Sequence, residues 1–159
     1  MAKGNLACEL AVVGGGPAGL AASIEAAKRG VRVSLFDENE KPGGQLFKQI
    51  HKFFGSKEHQ AGIRGHNIGY HLLDECQKVG VDTRLNTVVW GIEDNKIGIV
   101  NGTASRIVDA KRIIVATGAS ENPLSFPGWT LPGVMGAGAA QTMMNVHRVL
   151  PGTKVLMVG

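Results

Sequence analysis

Short apolar runs alternate with amphipathic stretches along the first part of the chain. Leu10–Val13 is a continuous apolar run, the pattern of a strand buried on both faces. From Pro17 an alanine-rich stretch with basic residues in its last turn predicts a helix that ends at Gly30. Val31–Phe36 alternates and predicts a second strand. Together these segments predict a strand–helix–strand unit.

The next segments extend this unit. Apolar residues between positions 47 and 54 recur at spacings of three and predict a short helix or cover segment. An apolar stripe predicts a helix over Gly65–Val79, which Gly80 ends. Val81–Leu85 follows and predicts a third strand, parallel to the first two.

Residues 87–112 have another pattern, short β-branched runs separated by turn residues. They predict a three-stranded antiparallel meander, with Asn101-Gly102 as a hairpin signal. Ile113–Ala116 predicts a further buried strand. A proline-rich connection then leads to a predicted helix over Gly136–Leu150 and a last predicted strand over Lys154–Val158.

Composition narrows the class of protein. The 159 residues suit one domain, and 43% hydrophobic with 19% charged residues is a globular composition. The formal charge of +4 comes from scattered Lys and Arg, which argues against nucleic acid as a partner and suits an anionic cofactor. Without an 18-residue apolar run or a signal-peptide core, we expect a cytoplasmic protein with no membrane partner.

The cysteines and histidines give little sign of redox or metal chemistry. Cys8 and Cys76 are far apart and form no CxxC, so both are interpreted as core cysteines. His59, His66 and His71 have no recognised ligand spacing, and no metal is assigned.

A glycine-rich motif follows the first predicted strand. Gly14, Gly16 and Gly19 satisfy GxGxxG: the first allows a tight turn, the second lets a pyrophosphate approach the backbone, and the third lets helix and sheet pack closely. Asp37, just past the second strand, is placed to accept hydrogen bonds from a ribose diol. The motif predicts dinucleotide binding. The alternative is that the glycines only pack and that Asp37 is a solvated turn residue. Glu38 is either an assisting or substitute ligand or a surface acid.

Further motifs indicate which dinucleotide is bound. Gly43-Gly44 within PGGQL suits a backbone pressed against a ligand, although a plain type II turn after Pro42 is the alternative. With GGGPAGLAA, the meander and the ATG stretch Ala116–Gly118, the chain resembles the FAD-binding domain of two-dinucleotide-binding-domain flavoproteins, the glutathione reductase-like superfamily. The resemblance implies an α/β fold: a Rossmann-like parallel sheet with an antiparallel β-meander, incomplete at the C-terminus.

The resemblance also implies positions for the cofactor. FAD pyrophosphate would lie in the glycine loop, the adenosine ribose at Asp37, the adenine at a strand backbone, and the ribityl chain beside PGGQ and ATG. The residues assigned in this way are Gly14, Gly16, Pro17, Ala18, Gly19, Asp37, Glu38, Gly44, Gln45, Val89, Thr117 and Gly118. The catalytic residues are unknown; His51 is the best candidate for a base, and a packing or surface histidine is the alternative.

A narrower resemblance lies in PGGQLFKQIHKFFG and FPGWTLPGVMGAGAAQTMMN. These stretches resemble the large FAD subunits of heteromeric amine and amino-acid dehydrogenases or oxidases, sarcosine oxidase alpha among them. The implied function is an FAD-dependent oxidoreductase that oxidises a small-molecule amine or amino acid or exchanges hydride with NAD(P)H, with a second subunit or a C-terminal half as partner. The alternatives are a non-catalytic FAD- or nucleotide-binding fragment and a thioredoxin reductase-like flavoprotein.

The same resemblance divides the chain. Residues 1–120 would form the FAD-binding domain and residues 121–152 a connection with a helix. Residues 153–159 would be the first strand of an NAD(P)-binding domain, with Gly159 as the first glycine of its loop.

Overall fold

The computed structural model describes residues 6–158, so the first five residues and Gly159 lie outside the described residues. The strands are β1 (Leu6–Val13), β2 (Val33–Phe36), β3 (Asp82–Arg84), β4 (Val88–Glu93), β5 (Lys96–Asn101) and β6 (Ala104–Val115). The α-helices are α1 (Pro17–Lys28), α2 (Gly65–Lys78) and α3 (Ala137–Asn145), and two 3-10 helices span Gly44–Lys48 and Lys57–His59.

All six strands belong to one mixed sheet in the order β3-β2-β1-β6-β5-β4. β1 pairs in parallel with β2 and β6, and β2 pairs in parallel with β3. β4, β5 and β6 are antiparallel neighbours and form the meander. The fold class predicted from the sequence, a Rossmann-like sheet carrying an antiparallel meander, is therefore confirmed.

The core occupies both faces of this sheet. Leu10 and Val12 of β1 point to one face, where they pack with Leu20 of α1 and Cys76 of α2. Ala11, between them, points to the other face and packs beneath the meander. This explains the unbroken apolar run of β1, because a strand covered on both faces has no side left for polar residues.

Glycine ends the two long helices at the predicted places. Gly30 and Gly80 both have φ of +81°, a left-handed conformation in which a residue with a Cβ is strained. Each glycine turns the chain back towards the sheet.

The last meander strand and the predicted strand Ile113–Ala116 are one continuous strand, β6. The prediction of a separate buried strand is wrong, because no turn residue interrupts the chain between residues 104 and 115. The end of β6 is also exposed: Val115 keeps 63% of its surface in solvent, since β5 pairs only as far as Asp109 and β1 alone continues beside β6.

The C-terminal predictions are only partly correct. α3 covers nine residues, shorter than the predicted Gly136–Leu150, because the chain leaves the helix at Val146 and Arg148 adopts φ of +58°. Residues 154–158 form no strand. A strand needs a neighbour for its backbone hydrogen bonds, and no described strand pairs with this segment.

Candidate cofactor-binding cleft

A cavity of about 1030 Å³ opens at the carboxyl ends of the parallel strands. Ligands of doubly wound sheets bind in this position, and the volume is at the upper end for small-molecule clefts. The lining residues are Val13, Gly14, Gly16, Pro17, Ala18, Phe36, Asp37, Glu38, Asn39, Glu40, Lys41, Gly44, Gln45, Phe47, Lys48, Thr87, Val88, Val89, Ala116, Thr117, Gly118, Ala119, Thr142, Val146 and His147.

The glycine loop is fixed between β1, β2 and β6. Gly14 has φ of +109° and donates its N–H to the Phe36 carbonyl at 2.8 Å. A Cβ on Gly14 would collide with the Ala116 carbonyl, and a Cβ on Gly19 would collide with the Gly14 carbonyl. Both glycines are therefore required for the packing of the loop itself.

Gly16 has a different role, because a Cβ there would meet nothing within 4 Å. It precedes α1, whose N-terminus carries no side-chain cap. The first amides of an uncapped helix remain available to an external acceptor, and the helix dipole favours an anion there. The open space over Gly16 thus forms a cradle of the kind a phosphate needs.

The PGGQ turn forms the opposite wall of this cradle. Gly43 donates its N–H to the Gly15 carbonyl at 2.7 Å, and a Cβ on Gly44 would lie 3.1 Å from the Gly16 Cα. Gly43, with φ of +105° and ψ of −3°, has the angles of the third residue of a type II turn after Pro42. The two interpretations made from the sequence, a plain turn and a close backbone approach, therefore both describe this turn.

Asp37 is buried and connects the loop to β2. One carboxylate oxygen accepts the Gly15 N–H, and the other accepts the backbone N–H of Asn39 at 2.8 Å and its side-chain amide at 3.0 Å. Its backbone N–H donates to Arg84 and its carbonyl accepts from Thr87 at 2.8 Å. The Asp37 carboxylate therefore links the glycine loop to the residues after β2, and Asp37 also lines the cleft.

A small hydrogen-bond network orients the wall at the start of β4. The Asn101 side-chain amide donates to the Asn86 carbonyl at 2.9 Å and to the Thr87 hydroxyl at 3.1 Å. Thr87 is almost fully buried, and its position fixes the backbone of Val88 and Val89 that follows.

α3 closes the other end of the cleft against the first 3-10 helix. The Asn145 side-chain amide donates to the Lys48 carbonyl at 2.8 Å. This contact brings Lys48 and His147 into the same cavity wall, while Asp37, Glu38 and Glu40 line the part that follows β2. The cleft therefore carries three carboxylates and Lys41 in the part that follows β2, and Lys48 and His147 at its α3 end.

Of the residues assigned from the sequence, all but Gly19 line this cleft. Gly19 lies behind the loop, where it is buried in α1. The contributions of Lys48, Thr142 and His147 were not foreseen, because they depend on α3 docking far along the chain and have no local sequence signal. His51 is exposed, stacks on Phe53 with ring centroids 5.4 Å apart, and is not part of the cleft wall.

Comparison with known proteins identifies the family. Residues 8–159 match the pyridine nucleotide-disulphide oxidoreductase family, which is nearly the whole chain. The chain belongs to this family. The glycine loop, PGGQL and ATG predicted an FAD/NAD(P) oxidoreductase domain, and this prediction is confirmed.

Two of the similar sequences are named as subunits of oxidases. An opine oxidase subunit of Agrobacterium tumefaciens is 36% identical over 160 residues, which cover 95% of this chain and 32% of that protein. The sarcosine oxidase alpha subunit of Rhizobium meliloti is 32% identical over 161 residues, 91% of this chain and 16% of that protein. The chain therefore spans about a third or less of the length of these relatives.

Solved structures share the same fold. The L-proline dehydrogenase of P. horikoshii superposes with a TM-score of 0.81 at 27% identity, over 93% of this chain and 30% of that one. A thioredoxin reductase of Lactococcus lactis superposes with a TM-score of 0.62 at 27% identity, over 76% of this chain and 39% of that one.

The thiols of this member of the disulphide oxidoreductase family are not placed for disulphide chemistry. Cys8 and Cys76 are buried in different core clusters, as expected from the sequence. Burial raises the pKa of the Cys76 thiol to about 11 and also raises the pKa of Cys8. Both thiols are protonated and unreactive at neutral pH.

Residues 6–158 hold neither a metal-ligand cluster nor a helix suited to a membrane. Within this range, no group of three or more His, Cys, Asp or Glu side chains is arranged to hold a metal ion. None of the helices in this part of the chain has the length and apolar character needed to span a bilayer.

Proposed function

We propose that this chain binds FAD along the cleft as the FAD-binding portion of an oxidoreductase. The pyrophosphate would lie over Gly16, the adenosine ribose at Asp37 with the adenine against the Val89 backbone, and the flavin towards Lys48. The open cradle over Gly16 at the uncapped N-terminus of α1 is the observation that carries the proposal.

The chain's own residues have separate tasks in this proposal. Amides at the start of α1 bind the pyrophosphate, and Gly44 lets the PGGQ turn close over it without a side chain in the way. Lys48 places a positive charge at the flavin end, and the His147 side chain lines the same part of the cleft. Bound FAD supplies the capacity to accept a hydride, which no side chain of the protein has.

The substrate we propose is an amine or amino acid, oxidised at the carbon bearing nitrogen. The support is the likeness to proteins named opine oxidase, sarcosine oxidase and L-proline dehydrogenase. Two of these relatives are named as subunits, which supports a partner in the form of a second subunit. A role for NAD(P), the division at residues 120 and 152, and a cytoplasmic location remain proposals made from the sequence.

A thioredoxin reductase-like activity is the second candidate, and the Lactococcus lactis structure supports it. The two cysteines of this chain do not contribute to it, because both are buried with raised pKa values. A fragment that binds FAD or another nucleotide without catalysis is the third possibility that the experiment separates.

The test is reconstitution of the purified chain with FAD, followed by removal of free cofactor and measurement of the flavin absorbance that stays with the protein. We expect one FAD per chain. Sarcosine, L-proline, an opine and NADH are then added separately without oxygen. Loss of flavin absorbance on addition of an amine or amino acid supports the proposed substrate class. Loss of flavin absorbance with NADH, followed by reduction of an added disulphide, supports the second candidate.

Two glycine variants provide the matched control. Gly16→Val places a side chain in the cradle and should abolish retention of flavin, whereas Gly91→Val adds one at an equally open position outside the cleft and should not. A folded wild-type chain that retains no FAD would contradict the proposal. FAD retained without bleaching by any donor would leave only the binding function.

A further inference from the structure

We infer, on the basis of the proposed function, that Glu121 is a positioning residue for the flavin end of the cleft. Its carboxylate caps the N-terminus of α3, and α3 in turn places part of the wall beside Lys48. Glu121 itself does not line the cleft, so it acts on the cofactor through this helix.

α3 has neither a buried side chain nor a cap of its own to hold it in place. It spans nine residues, and none of them is buried. Gly136, which precedes the first turn, has no side chain that could cap the helix, and the first turn carries no acid. Because a helix of this length is marginal in isolation, its position depends on polar contacts with other segments.

Glu121 supplies such a contact at the N-terminus of the helix. Its Oε1 accepts the backbone N–H of Gly138 at 2.7 Å. The first amides of a helix have no partner within it, and the helix dipole favours a negative charge beside them. Among the hydrogen bonds of the described residues 6–158, this is the one that joins the exposed segment 118–135 to α3.

Two glycines at the start of α3 leave room for this carboxylate. A Cβ on Gly136 would collide with the Glu121 Oε2, and a Cβ on Gly138 would lie 3.1 Å from the same atom. Gly136 has φ of −67°, and Gly138 has no positive φ either, so the backbone conformation does not require glycine at these positions. The missing side chains are instead explained by the carboxylate that packs against both residues.

The segments that this contact joins both reach the cleft. Residues 117–119 line it just before Glu121, and three residues between positions 142 and 147 line it at the far end of α3. At that end the Asn145 side-chain amide donates to the Lys48 carbonyl at 2.8 Å. Glu121 and Asn145 thus hold the two ends of α3, and the cap by Glu121 keeps the helix against the flavin end.

The other end of the cleft is built without α3. The cradle over Gly16 lies between β1 and α1, and the Val89 backbone belongs to β4. Loss of the cap should therefore weaken binding of the flavin half of FAD and leave binding of the ADP half unchanged. A general loss of stability would weaken both halves together.

The experiment measures FAD and ADP binding to the same variants of the full chain. Flavin fluorescence gives the Kd of FAD, and titration calorimetry gives the Kd of ADP. Glu121→Ala should raise the Kd of FAD about threefold, the order of one charge at a helix terminus, and leave the Kd of ADP unchanged. Iodide should also quench the bound flavin more strongly, because the α3 end of the cleft becomes open to solvent.

Three further variants isolate the contact. Glu121→Gln keeps an oxygen acceptor at the same reach and should restore part of the affinity for FAD. Gly136→Ala should displace the carboxylate and reproduce the effect of Glu121→Ala, and the double variant should be no weaker than either single one, because both changes remove one contact. Glu58→Ala, which removes an exposed acid outside the cleft, should change nothing.

Hydrogen exchange of the chain without cofactor tests the cap independently of FAD. In Glu121→Ala the amides of residues 138–146 should exchange about threefold faster, while those of β1 should exchange as in wild type.

Each outcome has one meaning. Equal weakening of FAD and ADP in Glu121→Ala, or faster exchange in α3 with unchanged FAD affinity and iodide quenching, overturns the positioning role and leaves the proposed function intact. Unchanged exchange in α3 contradicts the cap itself. A folded wild-type chain that binds neither FAD nor ADP contradicts the proposed function.

Discussion

Residues 6–116 and residues 117–158 differ sharply in how they bury apolar side chains. In the first portion the central strand β1 is covered on both faces, and Leu35, Val12 and Ile97 have no exposed surface. In the second portion Leu124, Leu131 and Leu156 keep from 62% to 90% of their surface in solvent. The two portions contain similar fractions of apolar residues, but within residues 6–158 the buried large apolar side chains all lie in the first portion.

The difference teaches that an apolar run becomes a buried strand only when neighbours cover it. Leu10–Val13 has β2 on one side and β6 on the other. Lys154–Val158 has an equally apolar sequence and no strand beside it in the described structure. The stability of the chain should therefore reside in the first portion, while the second portion reaches the cleft through residues 117–119 and through α3 and the two residues that follow it.

The largest expected effect comes from truncating one leucine in each portion. Leu35→Ala removes a fully buried side chain from the cluster between sheet and helices and should lower the free energy of unfolding by about 2–5 kcal/mol. Leu156→Ala, at 90% exposure, should change it by less than about 0.5 kcal/mol. Urea denaturation followed by circular dichroism measures both. Equal losses in the two variants would mean that the contrast in packing is absent in solution.

The glycine loop tests the same contrast on a smaller scale, since two glycines of one motif have opposite surroundings. Gly19→Ala puts a methyl group against the Gly14 carbonyl and should cost about 1–3 kcal/mol of stability or more. Gly16→Ala meets open space, so its melting temperature should match that of wild type while the Kd of FAD rises about tenfold. Calorimetry and flavin titration separate the two effects. If Gly16→Ala destabilises the protein without weakening FAD binding, Gly16 serves the packing of the loop and not the cofactor.

The first portion could largely be predicted from sequence because its signals are local. Glycine at positions 30 and 80 ends helices by its conformational freedom, and Asn101-Gly102 marks a hairpin in which Gly102 has φ of +57°. The same holds for the cradle, since the requirement for Gly16 follows from a motif of six residues. Such features do not depend on what the rest of the chain does.

The features that sequence reasoning missed depend on contacts between residues far apart in the chain, which no local sequence pattern indicates. The continuity of β6 is set by pairing with β5 on one side and β1 on the other, over partly different residues. The place of Lys48 and His147 in the cleft follows from the docking of α3, which a hydrogen bond from Asn145 secures. The distinct environments of Asp37 and Glu38, neighbours in sequence, arise from hydrogen-bond partners that only the folded chain brings together.

The smallest expected effect concerns the end of the sheet away from the cleft, where Glu9 joins three segments of the first portion. Its carboxylate accepts hydrogen bonds from the Lys111 ammonium at 2.8 Å and from the Arg32 backbone N–H at 3.2 Å. These partners, Lys111 foremost, lower the pKa of Glu9 to about 2. A folded-state pKa below that of the unfolded chain means that the carboxylate stabilises the fold above about pH 4.3, and that this contribution disappears as the pH falls towards 2.

Glu9→Gln should therefore lower stability slightly at pH 7, and its difference from wild type should shrink between about pH 4.3 and 2. Urea denaturation across this pH range measures the difference, with Glu93→Gln as an exposed acid that has no ion pair in the described part of the chain. Because the pairs of Glu9 with Lys111 and Arg32 are at the surface, salt at molar concentration should reduce the difference at pH 7 as well. A difference independent of both pH and salt would show that Glu9 acts through packing, and the sheet would then owe none of its stability to these charges.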